Sequence, residues 1–188
     1  MANGTGMSLQ VDATTASISA MFDKIYTPKE QIMPNLDKFD IGILEALQTD
    51  ARATNVEIAD KVNLSPSPCL RRIRNLEKSG VIRGYRADID RKEVGLGLTV
   101  FVEIKVGQHS RENSELQQAA LIAMPEVTGA FLISGTADFL AEVVVEDLSA
   151  YERFLTEKLL VLPGVSDIRS NFAIRTIKTN SPLKLPQR

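Results

Sequence analysis

The chain contains one cysteine and one histidine among 188 residues. A single thiol cannot form an intramolecular disulfide. One thiol and one imidazole (His109) argue against a zinc or haem site, since a thiolate metal site would need other ligands, and no metal or cofactor is expected. No apolar run reaches the roughly 18 residues of a membrane span, so no membrane partner is expected. The amino terminus lacks both the early cation and the apolar segment of a secretory signal, and the expected compartment is the cytoplasm. No nucleophile–base set or glycine-rich phosphate loop stands out, which argues against an enzyme. The paired carboxylates Glu146-Asp147 precede a helical stretch and suit its N-terminal dipole better than acid–base work.

Net charge is small as well. At −2, the chain is not a globally basic nucleic-acid binder, and 44% hydrophobic with 24% charged residues is ordinary for a soluble globular protein of one or two domains. The charge is distributed unevenly. Between residues 65 and 86, Arg71, Arg72, Arg74, Lys78, Arg83 and Arg86 face Glu77 alone. Residues 96–177 carry an acidic excess, which suggests a basic binding surface on one part and a different task for the other.

The basic stretch 65–80 reads as one helix with marked ends. Ser65 can cap it, Pro66 suits the first helical position, and Gly80 suits the left-handed residue that closes it. A register with Ser67 as cap and Pro68 first inside is equally allowed. With Arg71 at zero and 100° per residue, Cys69, Ile73 and Leu76 fall between about 140° and 200°, a buried stripe. Ser67, Arg71, Arg74, Asn75 and Lys78 fall within about 60° of zero, on the opposite face, with Arg72 on the flank. Cys69 therefore reads as a small core hydrophobe.

The neighbours decide what that face is for. Asp37 caps a helix whose stripe is Phe39, Ile43, Leu44 and Leu47, with Leu36 and Ile41 spaced as a hydrophobic staple. Thr54-Asn55-Val56-Glu57 fits a capping box, opening a second helix that turns through Asn63-Leu64 into the basic one. Three short helices, the last two joined tightly, match a helix-turn-helix. Residues 81–89 alternate around Gly84 and read as a hairpin wing carrying Arg83 and Arg86. Upstream, residues 1–35 read as a flexible extension in which Ile18, Met21, Phe22 and Ile25 allow a short helix. Met33 is also a candidate internal start.

Beyond a linker over 90–98, the hydrophobic period changes. Residues 99–106 alternate as a strand, 111–124 form a helix stopped by Pro125, and 127–134 and 139–145 form strands around Gly135-Thr136-Ala137-Asp138. A helix over 149–162 and a strand over 165–177 follow, leaving 178–188 as a tail. The order β-α-β-β-α-β predicts a ferredoxin-like four-stranded sheet with both helices on one face, so the fold class is α+β. His109 lies in a polar loop and reads as a surface residue. Apolar groups on both faces, including Phe101, Phe139 or Leu140, and Phe172 or Ala173, predict an obligate homodimer.

Leu36-Asp37, Asn55-Val56-Glu57, the run Leu64-Ser65-Pro66-Ser67-Pro68-Cys69-Leu70-Arg71-Arg72-Ile73, Gly80-Val81-Ile82-Arg83-Gly84-Tyr85 and Leu162-Pro163-Gly164-Val165 resemble the Lrp/AsnC (leucine-responsive, feast/famine) family of transcriptional regulators. The resemblance runs from about residue 36 to 177. It implies a winged helix-turn-helix over 36–89 that binds double-stranded DNA, and a regulatory domain over 99–177. It also implies dimers that assemble further, commonly to octamers, and a small effector, usually an amino acid, held between dimers. The DNA-contact set is then Ser65, Ser67 and Pro68 at the helix start, Arg71, Arg72, Arg74, Asn75 and Lys78 along it, and Arg83 and Arg86 in the wing.

The resemblance places the effector near Leu132, Ser134, Gly135, Thr136, Ala137 and Asp138, with Leu160 of a neighbouring chain. The family loop commonly reads Gly-Asp-x-Asp, and this chain keeps the glycine and second acid but has Thr136 in place of the first. An amino-acid zwitterion needs an acceptor for its ammonium, which Asp138 can offer, and donors for its carboxylate, which turn N–H groups can offer. Asp138 can equally do no more than cap the turn. Two other functions fit parts of the pattern: an amino-acid-sensing regulatory subunit of a metabolic enzyme, and an effector-independent architectural DNA-binding protein whose affinity is governed mainly by salt.

Overall fold

A computed structural model describes residues 36–107 and 111–186. The expectations for residues 1–35 and for His109 lie outside the described residues. The described chain divides into two compact units, one of 36–86 with 182–186 and the other of 87–181.

The first unit is built on three helices, α1 (Lys38–Thr49), α2 (Asn55–Lys61) and α3 (Pro66–Lys78). Their starts are chemically specified. The Asp37 carboxylate accepts hydrogen bonds from the N–H groups of Phe39 (2.9 Å) and Asp40 (3.0 Å), and the Asp40 carboxylate accepts from the Asp37 N–H. Thr54 and Glu57 form the same reciprocal box at α2. Each box satisfies donors that a helix start leaves unpaired. Ile43, Leu44 and Ala46 of α1, Ile58 and Ala59 of α2, and Cys69, Ile73 and Leu76 of α3 close the core. Phe39 and Leu47, expected in the α1 stripe, are half-buried at its edge.

The turn between α2 and α3 is tight because Asn63 adopts a left-handed conformation (φ 54°), which asparagine tolerates better than most residues. Leu64 N–H then bonds back to the Ala59 carbonyl at 2.9 Å. Gly80 (φ 77°) ends α3, donating to the Glu77 carbonyl at 3.0 Å.

Three local expectations fail here. The Ser65 hydroxyl makes no cap bond, although Ser65 is the N-cap residue. Pro68 occupies the third helical position and has no N–H, so the usual donor to such a cap is missing. The stretch 81–89 forms no β-ladder and is an irregular arm. Two arms of three or four residues with no third strand cannot hold a ribbon in water. Tyr85 instead folds back to donate its hydroxyl to Glu77 Oε1 at 3.0 Å. Finally, residues 182–186 do not stand apart as a tail but belong to this helical unit.

The second unit contains β1 (Leu98–Val106), α4 (Arg111–Ala123), β2 (Val127–Leu132), β3 (Phe139–Val145), α5 (Leu148–Phe154) with a wider π turn at Leu155–Leu159, and β4 (Val165–Phe172). The sheet is antiparallel in the order β2-β3-β1-β4. β1 is the central strand, and its inner row Val100, Val102, Ile104 and Val106 packs against Leu121 of α4 and Tyr151, Phe154 and Leu159 of the last helix. β4 stops at Phe172, five residues earlier than expected, because Phe172 already faces Val100 and β1 has only two residues left to pair. Registers also sort the aromatic residues. Phe139 and Phe172 face the helices, with the Phe172 ring edge-on to Tyr151 at 5.5 Å. Phe101, Phe131 and Leu140 share the opposite face.

The Asp37 carboxyl loses solvation at the α1 start, yet the Asp40 and Phe39 N–H groups and the Arg72 charge hold it below its ordinary value. A carboxylate with a lowered folded pKa stabilises the fold above its unfolded value and loses that contribution as pH falls through the folded one. Asparagine caps as well as aspartate but carries no charge. Asp37→Asn should therefore melt earlier than the parent at neutral pH. The two melting curves should begin to converge once the pH drops below about 3.9 and should meet only at a lower pH, where the folded parent carboxyl is neutralised as well.

Candidate nucleic-acid interface and effector loop

The buried stripe of α3 fixes which side chains it turns outward. Ser65, Ser67, Arg71, Arg74, Asn75 and Lys78 are all exposed, and Pro68 is half-buried at the helix start. Among the described residues, no ion pair engages Arg71, Arg74 or Lys78. Two prolines in the first turn leave two fewer unpaired N–H groups there, and the exposed Ser65 and Ser67 hydroxyls stand at that end. Arg83 and Arg86 are exposed on the arm that follows Gly80.

Arg72 lies differently from the other cations. Its guanidinium bonds Asp40 Oδ1 at 2.8 Å and Asp37 Oδ2 at 2.9 Å, and it covers the Phe39 ring at 5.3 Å. The Asp40 bond and the nearby carboxylates raise its pKa further. It joins α3 to the start of α1 and is not part of the open cationic row. The sequence placed it on the flank but held no sign of its partners, which lie more than thirty residues earlier. Asn55 carries a second unforeseen role, donating from Nδ2 to the Pro66 carbonyl at 2.8 Å and fastening α2 to the first residue of α3. Burial pushes the Cys69 thiol pKa up, as for a core side chain.

In the second unit, the connection after β2 folds onto the end of β1. Ile133 N–H donates to the Asp138 carbonyl at 2.9 Å, and Asp138 N–H donates to the Ile104 carbonyl at 3.0 Å. The Asp138 carboxylate accepts the Val106 N–H at 2.7 Å through Oδ2. Ala137 is buried, while Leu132, Ser134, Gly135 and Thr136 are exposed, and Gly135 has φ 124°, a conformation open chiefly to glycine. Leu160 is exposed beside Val161 on the turn into β4, the edge strand opposite β2. Among the described residues, no set of three or more His, Cys, Asp and Glu is placed to hold a metal ion. No helix among them is long and apolar enough to cross a membrane.

A tri-helical unit with an exposed cationic third helix, joined to a split β-α-β sheet, defines a regulator with separate DNA-binding and ligand-binding parts. Family models agree on both. "Winged helix-turn-helix DNA-binding" matches residues 36–83, and "Lrp/AsnC ligand binding domain" matches residues 99–183. The leucine-responsive regulatory protein of Salmonella typhimurium is 40% identical over 154 residues, spanning 82% of this chain and 94% of that protein. That of Rhizobium meliloti is 40% identical over 143 residues, covering 76% and 92%. A Neisseria meningitidis transcriptional regulator, solved as a complex with L-methionine, superposes with a TM-score of 0.75 at 38% identity, covering 79% of this chain and 96% of that one. An AsnC family regulator from Agrobacterium tumefaciens gives 0.74 at 37% identity, covering 80% and 96%. The chain belongs to the Lrp/AsnC family of transcription regulators.

Arg72→Ala removes both carboxylate contacts and the ring contact together, and it should lower the stability of the helical unit by about 1 kcal/mol. Arg71→Ala touches none of these and should leave the melting temperature unchanged. Thermal denaturation of the two variants side by side checks the difference.

Proposed function

We propose that this regulator reads its operator with the outward face of α3 and adjusts that binding to a free amino acid held at the loop after β2. The observation that carries the reading is the sorting of cations on α3. Arg72 is spent on α1, while Arg71, Arg74 and Lys78 project with Ser67 and Asn75. Cations and hydroxyls at this spacing suit phosphate contacts, and Arg71, Arg74 and Asn75 can also bond base edges in the major groove. Ser65, Pro68 and the Ser67 hydroxyl sit where a recognition helix meets the backbone, and Arg83 and Arg86 reach the flanking phosphates from the arm.

The effector reading is supported by the ligand-binding family match and by the methionine complex of the Neisseria meningitidis relative. Leu132, Ser134, Gly135, Thr136 and Ala137 line the loop, and Asp138 holds it against β1 through the Val106 N–H. The proposed division has turn N–H groups receiving the effector carboxylate and the Asp138 carboxylate accepting from the effector ammonium. Leu160 of a neighbouring chain closes the site. The exposed rings of Phe101 and Phe131, with half-buried Leu140 beside them on the helix-free sheet face, support a homodimer, with further assembly to an octamer, acting in the cytoplasm.

On a duplex selected from random sequence, Arg71→Ala and Arg74→Ala should each weaken binding about tenfold or more and lower the salt slope by about one. Gel-shift titrations across salt concentrations read both quantities, and unchanged affinity in both variants would sink the assignment. A thermal-shift screen of the twenty amino acids should find one that raises the melting temperature. Asp138→Ala should lose that shift yet keep its duplex affinity.

A further inference from the structure

The C-terminal segment makes contacts that neither the DNA-binding face nor the effector loop accounts for. Gln48, near the end of α1, meets the backbone of Leu183 with both ends of its amide. Its Oε1 accepts the Leu183 N–H at 2.6 Å, and its Nε2 donates to the Leu183 carbonyl at 3.2 Å. The pairing is that of two peptide groups in a sheet, with a side-chain amide standing in for one of them. Two residues on, Leu185 packs against the three-helix core. The contact spans 135 positions of sequence, so it is not a by-product of local geometry.

The segment is prepared for this by its own sequence. Pro182 and Pro186 bracket it, which fixes two φ angles and biases Ser181 and Leu185 toward extended backbone. Less entropy is then lost when it docks. Its approach is also controlled. Asn180 takes a left-handed conformation (φ 51°) and donates from Nδ2 to Asp88 Oδ1 at 2.8 Å. Asp88 lies just beyond the first unit's last residue in that stretch, so this bond ties together the outgoing and returning chain segments where both run through the second unit. Docking is incomplete. Leu183 keeps its side chain in solvent, and Glu45, Lys184, Leu185 and Pro186 border a cleft of about 560 Å³.

We propose that residues 182–186 form a clasp on α1, a part of the DNA-binding unit that is supplied by the chain returning from the ligand-binding unit. The chain thus joins the two units twice, once through the segment after Arg86 and once through the segment before Pro182. Because Arg72 anchors α3 to the start of α1, a clasp near the end of α1 acts on the helix that supports the recognition face.

Hydrogen exchange on the full-length protein tests this, with the β1 amides as an internal reference. Gln48→Ala should speed exchange of the amides in the last two turns of α1 about fivefold, the equivalent of one net hydrogen bond. A chain ending at Ser181 should speed them more than tenfold while β1 keeps its protection. Adding a synthetic peptide of residues 180–188 to the shortened chain should restore protection of α1. Unchanged α1 exchange in both altered chains would overturn the clasp. Equal loss of protection in α1 and β1 would overturn it too, since the segment would then stabilise the whole molecule and not the DNA-binding unit.

Discussion

One guanidinium shared between two carboxylates sets the orientation on which the DNA-binding unit depends. Asp37 and Asp40 are already committed to capping α1, so their positions are fixed before Arg72 reaches them. An arginine fork meeting oxygens held in place loses less freedom than one meeting mobile partners. The bond therefore fixes the rotation of α3 about its axis along with the burial of Cys69, Ile73 and Leu76. With that rotation fixed, Arg71, Arg74 and Lys78 face outward together. Asn55 adds a second restraint at the other end of the contact, holding the Pro66 carbonyl.

The ligand-binding unit is governed by its central strand in a similar way. β1 pairs with β3 on one side and β4 on the other, so its inner row is covered on every side by the sheet and helices. Its C-terminal end also receives the loop after β2, through the Ile104 carbonyl and the Val106 N–H. Asp138 is thus a structural fastening as well as a candidate ligand contact. A charge placed on that loop acts directly on the strand that organises the sheet. The wide π turn at Leu155–Leu159 leaves Leu160 and Val161 on the surface, an arrangement that suits contact with another chain.

Much of this was legible without coordinates. The capping boxes at Asp37 and Thr54, the alternation over residues 99–106 and the 100° spacing on α3 are local signals, and each corresponds to an observed element. The same logic misled at Ser65, where the residue type of a good cap was present but Pro68 had removed its donor. It misled again at residues 81–89, where alternation suggested a hairpin too short to stand alone. The extra length given to β4 was a related error, because alternation continues past the point where β1 runs out of residues to pair.

By itself, the sequence determined the kind and order of elements, the buried stripe of α3 and the family, because all of these rest on residues within a few positions of one another. Tertiary structure alone decided which cation is spent internally, where β4 ends and where the C-terminal segment goes. Arg72 and its carboxylates, β4 and its partner strand, and Leu183 and Gln48 are far apart along the chain. No periodicity connects such pairs, and only packing brings their atoms within bonding distance. The basic helix is legible from its own residues as an amphipathic element with a cationic face, and the neighbouring helices and turn are what point that face to DNA. Of its four cations, Arg72 on the flank is held by α1, while among the described residues no ion pair engages Arg71, Arg74 or Lys78 on the outward face.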